Sequence, residues 1–434
     1  MQDIRLLVYT SLIKCIENER YSNLEADATL ERCDLDARDK AFYCAMFYGV
    51  TERQITLDHQ IRKLSSTPPE KLQTSVNVLL RMGLYQILFM KSVPDHAAVS
   101  QTVALAKQKV NRGAVGYINA ILRSAQTKLK DENGEIKLML PDKEKDLCGH
   151  LSIKYSFPRF LCKLWVNSYG AENAERIMIA QNARTVTTLR VNTLVTTRET
   201  LLSQLKNDEA EAFESELCDD GINLKSGAVA SLYGFDSGHF FVQDDSSRLC
   251  VEALAPEKGE TVLDACACPG GKSFASAIRM KNTGKIVSCD LHESKLSLIT
   301  GGAERLGIGI IEAVACDSSV YRPEWNESFD RVLCDVPCSG YGTIAKKPDL
   351  RLKKPESASS LADIQLNIAC NCARYLKKGG TMVYSTCTLN PKENEENVKR
   401  FLEENKDFEL ISMTTKFPYE GLCDGFFFAK MIKK

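Results

Sequence analysis

The sequence predicts a multidomain chain: an all-helical N-terminal domain, a small α/β module, and a C-terminal α/β domain built on a parallel, Rossmann-like sheet. Three observations predict it. Apolar residues recur at helical spacing from Ile4 to about Lys130, a polar stretch without periodicity extends from Asp131 to Glu144, and from Gly238 onward short apolar runs alternate with helical patterns. At 434 residues the chain is long enough for roughly two to four domains. The expected boundaries are 1–135, 145–235 and 236–434.

The helical reading of the first part rests on sets such as Leu6, Leu7, Tyr9, Leu12, Ile13 and Ile16, and later Val78, Leu79, Leu80, Met82, Leu84, Tyr85, Ile87 and Leu88. Pro68-Pro69 and Pro94-Asp95 interrupt the pattern where helices are expected to start. Between Lys107 and Lys130 stand six basic residues and no acidic one: Lys107, Lys109, Arg112, Arg123, Lys128 and Lys130. Such a strip is ordinarily a solvated helix face, but it is also what phosphate contacts require. The stretch Asp131-Glu132-Asn133-Gly134-Glu135, with Pro141-Asp142-Lys143-Glu144 after it, reads as a linker.

The small module is read from a helical segment near Ser156 to Trp165, a short strand at Leu189 to Leu194 and a helix from about Arg198 to Leu205. In the C-terminal part the strands are expected at Thr261–Ala265, Ile286–Cys289, Ile310–Ala315, Arg331–Cys334 and Thr381–Tyr384. Helical patterns between them argue for a parallel sheet covered on both faces.

Composition excludes several classes. Formal net charge is −1 and 26% of residues are charged, so overall charge gives no argument for a nucleic-acid partner, and any such surface must be local. No apolar run reaches the about 20 residues of a membrane helix. The start, MQDIRLLVYTSLIKCIENER, lacks the apolar core and cleavage site of a secretory signal, so the 17 cysteines are expected reduced and the protein cytoplasmic. Cys266/Cys268 and Cys370/Cys372 have metal-like proximity, yet neither has a second Cys/His pair at ligand spacing, so no metal is expected.

The chemistry is carried by a turn and two cysteines. Thr261-Val262-Leu263-Asp264 runs into Cys266-Ala267-Cys268-Pro269-Gly270-Gly271-Lys272 and a helix. Paired glycines admit a ligand to the backbone there, and a helix N-terminus offers free amides. The first glycine of a P-loop is missing. Asp290 ends the next strand about 20 residues after the glycines, where an acid can bind ribose hydroxyls, and Asp317 ends the third in the same way. A nicotinamide dinucleotide would use the same architecture. Two further strands end at Asp335-Val336-Pro337-Cys338-Ser339-Gly340 and Ser385-Thr386-Cys387-Thr388, and these separate the possibilities. Carbon 5 of cytosine is a poor nucleophile until a thiolate adds to carbon 6, and a second acid/base group then helps release the product. The turn and the cysteine pair together read as carbon methylation of a cytosine.

These residues resemble the Nop/Sun family of RNA cytosine-5 methyltransferases, over nearly all of the chain. The most specific parts are Leu263 to Lys272, Asp330 to Gly340, Lys347-Pro348-Asp349-Leu350-Arg351, Gly379 to Cys387 and Asn390-Pro391-Lys392-Glu393-Asn394-Glu395; Arg190-Val191-Asn192-Thr193 and Val242-Gln243-Asp244 agree. The N-terminal part resembles a NusB-like RNA-binding domain through Asp36-Ala37-Arg38-Asp39 and Gly116 to Arg123. The resemblance implies a NusB-like domain, an RRM-like module and a class I methyltransferase domain. It implies S-adenosylmethionine as donor, bound by Cys266, Ala267, Cys268, Pro269, Gly270, Gly271, Lys272, Asp290, Asp317 and Asp335. It makes Cys387 the nucleophile, Cys338 the residue that assists release, and Asp335 the link between cofactor and base. It further implies a cytidine of small-subunit ribosomal RNA as substrate, and a monomer is expected. Transfer RNA, or a non-catalytic role in ribosome assembly, are the competing readings. Cys268 stands where the family usually has alanine, Leu352 where an aromatic is common, and Phe157 in place of a histidine.

Overall fold

The computed structural model describes residues 3–18, 20–183, 185–225, 227, 229–352 and 360–434. They divide into two compact units, Met1–Asn182 with Lys347–Lys353, and Ala183–Lys346 with Lys354–Lys434.

The first unit is helical: α1 (Ile4–Glu17), α2 (Ser22–Arg32), α3 (Ala37–Glu52), α4 (Gln54–Leu64), α5 (Thr74–Phe89), α6 (Asp95–Lys109), α7 (Arg112–Lys128), α8 (Leu147–Tyr155) and α9 (Arg159–Ala180). Val8, Tyr43, Phe47, Leu79, Leu84, Ile118 and Leu122 meet in one core. Short polar side chains start the helices by satisfying free amides. Asp36 accepts the Asp39 N–H at 2.8 Å, and Asn111 accepts that of Ala114 at 2.9 Å. Pro94 immediately precedes α6 as expected, whereas Pro69 opens only a 3-10 turn, Pro69–Lys71, because Leu72 and Gln73 return to extended backbone before α5. The polar stretch read as a linker closes on itself: Asp131 Oδ1 accepts the N–H groups of Asn133 and Glu135, both at 2.9 Å. In the basic strip, Lys130 is neutralised by Asp95 at 2.7 Å, while Lys107, Lys109, Arg112, Arg123 and Lys128 are exposed.

The motif Lys347 to Arg351 folds with this helical unit. Asp349 accepts the N–H and the hydroxyl of Ser22, at 3.0 and 2.6 Å, at the start of α2. Arg351 is buried among acceptors: its two terminal nitrogens donate to the carbonyls of Glu52, Tyr155, Ser156 and Gln181 and to Asn182 Oδ1, over the face of Phe157.

The second unit holds two sheets. The smaller is antiparallel in the order β2-β3-β1-β4, from β1 (Thr187–Val191), β2 (Ala212–Glu214), β3 (Gly221–Leu224) and β4 (Phe240–Val242), and packs on α10 (Arg198–Asn207). Arg190 and Asn192 tie β1 to later segments of the same unit. The buried Arg190 guanidinium pairs with Asp220 at 2.6 Å and with Asp245 at 2.8 Å, and Asn192 Nδ2 donates to the carbonyls of Gly238 and Leu306.

The larger sheet comprises β5 (Thr261–Asp264), β6 (Lys285–Asp290), β7 (Ile311–Ala315), β8 (Phe329–Asp335), β9 (Leu376–Thr386), β10 (Phe408–Lys416) and β11 (Phe426–Lys433), in the order β10-β11-β9-β8-β5-β6-β7. Helices α11 (Asp245–Leu254), α12 (Gly271–Arg279), α13 (Leu296–Arg305), α14 (Leu361–Ala373) and α15 (Glu395–Glu404) connect the strands. The β7 to β9 part is parallel as expected, but β11 pairs antiparallel with both β9 and β10. The sheet is therefore mixed. The link from β10 to β11 is too short for the crossover helix a parallel neighbour requires. Strand order reverses at β5, so the crevice at the carboxyl ends of β5 and β8 is the place where such sheets bind ligands. Among the described residues no helix is long and apolar enough to cross a membrane, and no group of His, Cys, Asp and Glu is arranged to hold a metal ion.

Candidate active site

The turn after β5 is fixed by backbone bonds to both neighbouring strands. Ala265 N–H donates to Leu333 O at 2.9 Å and Ala267 N–H to Cys289 O at 2.7 Å. Gly270 then takes φ 112°, a left-handed conformation, and a Cβ there would lie 2.5 Å from the Phe274 ring, so glycine is required twice over. No side chain caps the N-terminus of α12, which leaves its amides and positive dipole end for an anionic group.

Beside this turn lies a cavity of about 160 Å³, walled by Val242, Gln243, Asp244, Ser247, Asp264, Cys266 to Pro269, Gly271, Lys272 and Asp335. Its wall carries unsatisfied polar atoms. Gln243 is buried with neither Oε1 nor Nε2 partnered, and Asp264 is buried with Oδ1 unpartnered while Oδ2 accepts from Ser273 Oγ at 2.7 Å. Buried polar groups are seldom left in this state unless a ligand or water completes them. Burial pushes the Asp264 carboxyl up to about 6, with the Ser273 hydrogen bond opposing the rise. A carboxylate, an amide and a helix N-terminus fit the α-ammonium and α-carboxylate of a nucleoside that bears an amino acid, as S-adenosylmethionine does.

Asp335, at the end of β8, is held from two sides: Oδ2 accepts from Lys272 Nζ at 2.6 Å and Oδ1 from Ser385 Oγ at 2.8 Å. Burial disfavours the Lys272 ammonium, but the Asp335 charge outweighs it and holds Lys272 above the ordinary lysine range. The two cysteines meet just beyond, with Sγ atoms 3.3 Å apart. Their turns are stitched together. Gly342 N–H donates to Cys387 O at 3.0 Å, Gly425 N–H to Gly342 O at 2.9 Å, and a Cβ on Gly342 would collide with Gly425 O. The Cys338 thiol is raised well above its usual value, first by its hydrogen bond to Cys387 and then by burial.

Of the residues expected at the site, the cavity gathers Cys266, Ala267, Cys268, Pro269, Gly271, Lys272 and Asp335. Gly270 shapes the turn from behind. Asp290 and Asp317 reach the ends of β6 and β7 without lining the cavity; Asp290 accepts the His292 N–H and Asp317 the N–H and hydroxyl of Ser319, which hold Asp317 below its usual range. Cys338 and Cys387 adjoin each other. Sequence reasoning gave no role to Gln243, Ser385, Glu393 or the free oxygen of Asp264. Each of the four stands inside a motif of the chain, which was the available signal. Another cavity of this unit, about 920 Å³, lies elsewhere, among residues such as Arg198, Arg248, Glu252 and Lys258, and contains none of this chemistry.

Comparison with known proteins gives the family and its domains. Residues 251–432 match the 16S rRNA methyltransferase RsmB/F family, residues 2–127 the NusB family, and residues 157–230 the RsmF/B-like ferredoxin-like domain. The chain is 37% identical to a probable ribosomal RNA small subunit methyltransferase B of Bacillus subtilis, over 99% of both chains. It is 34% identical to one of Synechocystis over 100% of both. The crystal structure of PH0851 superposes with a TM-score of 0.80 at 24% identity, covering 99% of this chain and 98% of that one, which shows the fold. With a cofactor crevice, a ferredoxin-like module and a NusB-like domain in one chain, and relatives this similar along its whole length, the protein belongs to the RsmB/F family of S-adenosylmethionine-dependent 16S ribosomal RNA methyltransferases.

Proposed function

We propose that the protein methylates carbon 5 of a cytidine in small-subunit ribosomal RNA through a covalent adduct between Cys387 and carbon 6. The observation that carries this reading is the 3.3 Å approach of Cys338 and Cys387 beside a crevice closed by Asp335. Exocyclic nitrogen methylation needs no thiol, whereas carbon 5 must first be activated by nucleophilic addition at carbon 6. S-adenosylmethionine, when bound, supplies an electrophilic methyl group. Gln243, Asp264 and the amides at the start of α12 would hold its amino-acid end, with Cys266 to Lys272, Asp290 and Asp317 along the rest.

The chain's own residues do the remaining work. The Cys387 thiolate forms the S–C6 bond, and the electron pair displaced from the C5=C6 bond makes carbon 5 nucleophilic. Once carbon 5 carries the methyl group, its hydrogen leaves as a proton, the double bond re-forms and the S–C6 bond breaks, returning Cys387. Cys338, adjacent to that sulfur, assists this release. Asp335, held by Lys272 and Ser385, would sit between the cofactor and the cytosine. The relatives' names give the RNA: two full-length relatives are named for the small ribosomal subunit.

Incubation with labelled cofactor and unmodified 16S ribosomal RNA tests the reading. Cys387→Ala is expected to abolish 5-methylcytosine formation, at least about 10³-fold. Cys338→Ala is expected to accumulate a protein–RNA species that survives denaturation, because attack persists while release fails. Undiminished methylation by Cys387→Ala would reject the adduct, and trapping by Cys387→Ala instead would exchange the two roles.

A further inference from the structure

Glu393, in the turn between β9 and α15, is a fully buried carboxylate. Each of its oxygens accepts two hydrogen bonds: Oε2 from Ser339 N–H and Gln365 Nε2, both at 2.9 Å, and Oε1 from Ser339 Oγ at 2.6 Å and Asn390 Nδ2 at 2.8 Å. An ionised carboxylate is acceptor-only with about four lone-pair sites, and donors fill all four here. Among the described residues no lysine, arginine or histidine forms an ion pair with it. A buried charge without a counter-ion acts strongly on its neighbours, because little solvent screens it.

Those neighbours are the two thiols, and Glu393 treats them unequally. It grips the residue after Cys338 by both backbone and side chain. It reaches the residue after Cys387 through the intervening Ser339 hydroxyl, whose Oγ donates to Glu393 and lies 2.7 Å from Thr388 Oγ1. Other titratable groups near the pair, among the described residues, include Asp335, matched by Lys272; Tyr384, whose hydroxyl donates to the Glu393 carbonyl at 2.6 Å; Tyr341; and the Cys334 thiol. Glu393 therefore supplies a negative charge without an ion-pair partner, held against the residue that follows Cys338.

We propose that Glu393 divides the cysteine pair into an acid and a nucleophile: its charge keeps Cys338 as the S–H donor and leaves Cys387 as the thiolate that accepts that hydrogen bond. The Sγ–Sγ distance of 3.3 Å is that of such a contact. Cys338 is raised by its bond to Cys387, by burial and then by the charges of Cys387, Glu393 and Asp335, which agrees in direction. Glu393 touches no reacting atom and is a positioning residue. The use of this division rests on the cytosine reading above, but its existence does not.

Site-resolved alkylation of the full-length protein tests it without RNA or cofactor. Iodoacetamide is pulsed between pH 6 and 9, and the Cys338 and Cys387 peptides are quantified by mass spectrometry. In the wild type Cys387 is expected to react at least about tenfold faster than Cys338, since the thiolate is the nucleophile. Glu393→Gln, which fits if the Ser339 hydroxyl and the Asn390 amide reverse, should shrink that ratio by about tenfold. Ser339→Ala keeps the charge and should keep the ratio. In Cys338→Ala the pH midpoint for Cys387 labelling should rise, and Cys338→Ser, which retains a donor, should restore it. Equal labelling of the two cysteines in the wild type would overturn the proposal on its own. So would an unchanged ratio in a Glu393→Gln protein that melts like the wild type, or a collapsed ratio in Ser339→Ala, which would make the effect geometric. A faster Cys387 in a protein whose Cys387→Ala variant still methylates RNA would leave this division standing and reject the adduct.

Discussion

Two cations of this protein, one in each unit, are held by opposite means. Lys272, in the cofactor crevice, faces a carboxylate, Asp335, at 2.6 Å. Arg351, in the helical unit, faces no carboxylate within ion-pair distance among the described residues; carbonyl oxygens and an amide oxygen surround it instead. The consequence is visible in their acidities: Asp335 holds Lys272 above the usual lysine range, while burial pushes Arg351 below the usual arginine range. A charge paired with a charge can exchange partners when a ligand arrives. A charge divided among backbone dipoles cannot, and it serves to fix the segments whose carbonyls it gathers.

The comparison separates the expected effects of removing each cation. Arg351→Ala leaves several carbonyls without donors, at about 1–3 kcal/mol for each that water cannot reach, so a loss of about 3 kcal/mol or more is expected. Urea unfolding monitored by helical circular dichroism measures it, and a midpoint within error of the wild type would show that Arg351 is no clip. Lys272→Ala should act differently. Asp335 keeps its bond from Ser385 and some solvent access, so stability should fall less, by about 1–2 kcal/mol. Binding of S-adenosylhomocysteine should weaken at least about tenfold, because the crevice gains an unmatched negative charge. Calorimetric titration that finds unchanged affinity would place Lys272 with Arg351 as a purely structural cation.

The same contrast explains what the sequence could and could not tell. Asp335, Cys338 and Cys387 were legible because each directly succeeds or ends a short apolar strand, and parallel strands deliver their ends to one crevice. The glycine turn was legible from its composition. Arg351 and Asp349 were noticed only as parts of a motif, since their partners Ser22, Glu52 and Tyr155 lie roughly two to three hundred positions away and no local periodicity encodes such a contact. Glu393 was hidden for a related reason: a glutamate in a polar run reads as solvated until the fold shows four donors converging on it. The antiparallel β10 and β11 escaped because their pairing depends on a short connection rather than on the alternation used to find the parallel strands.

Asp264 offers the finest test of the idea that crevice charges await a partner. Its carboxyl is raised to about 6 by burial, against an unfolded value near 4, so below about pH 6 the folded protein without ligand holds it protonated. Its contribution to stability is therefore lost as pH rises between about 4 and about 6 and stays constant above that, because the native state binds the extra proton. A cationic ligand reverses the preference: an ammonium beside Oδ1 favours the ionised form, and below pH 6 binding must first displace a proton. Affinity for S-adenosylhomocysteine should be lower at pH 5 than at pH 7, by up to about tenfold, and level off above pH 7. Asp264→Asn keeps the shape and the bond from Ser273 but has nothing to titrate; it should bind more weakly at pH 7 and with no slope between the two. A flat wild-type profile from pH 5 to 7 would mean that the free oxygen of Asp264 does not meet the ligand's positive charge. The comparison would then retain Lys272 and Asp335 as the crevice's responsive pair, with Asp264 joining Arg351 as part of the frame.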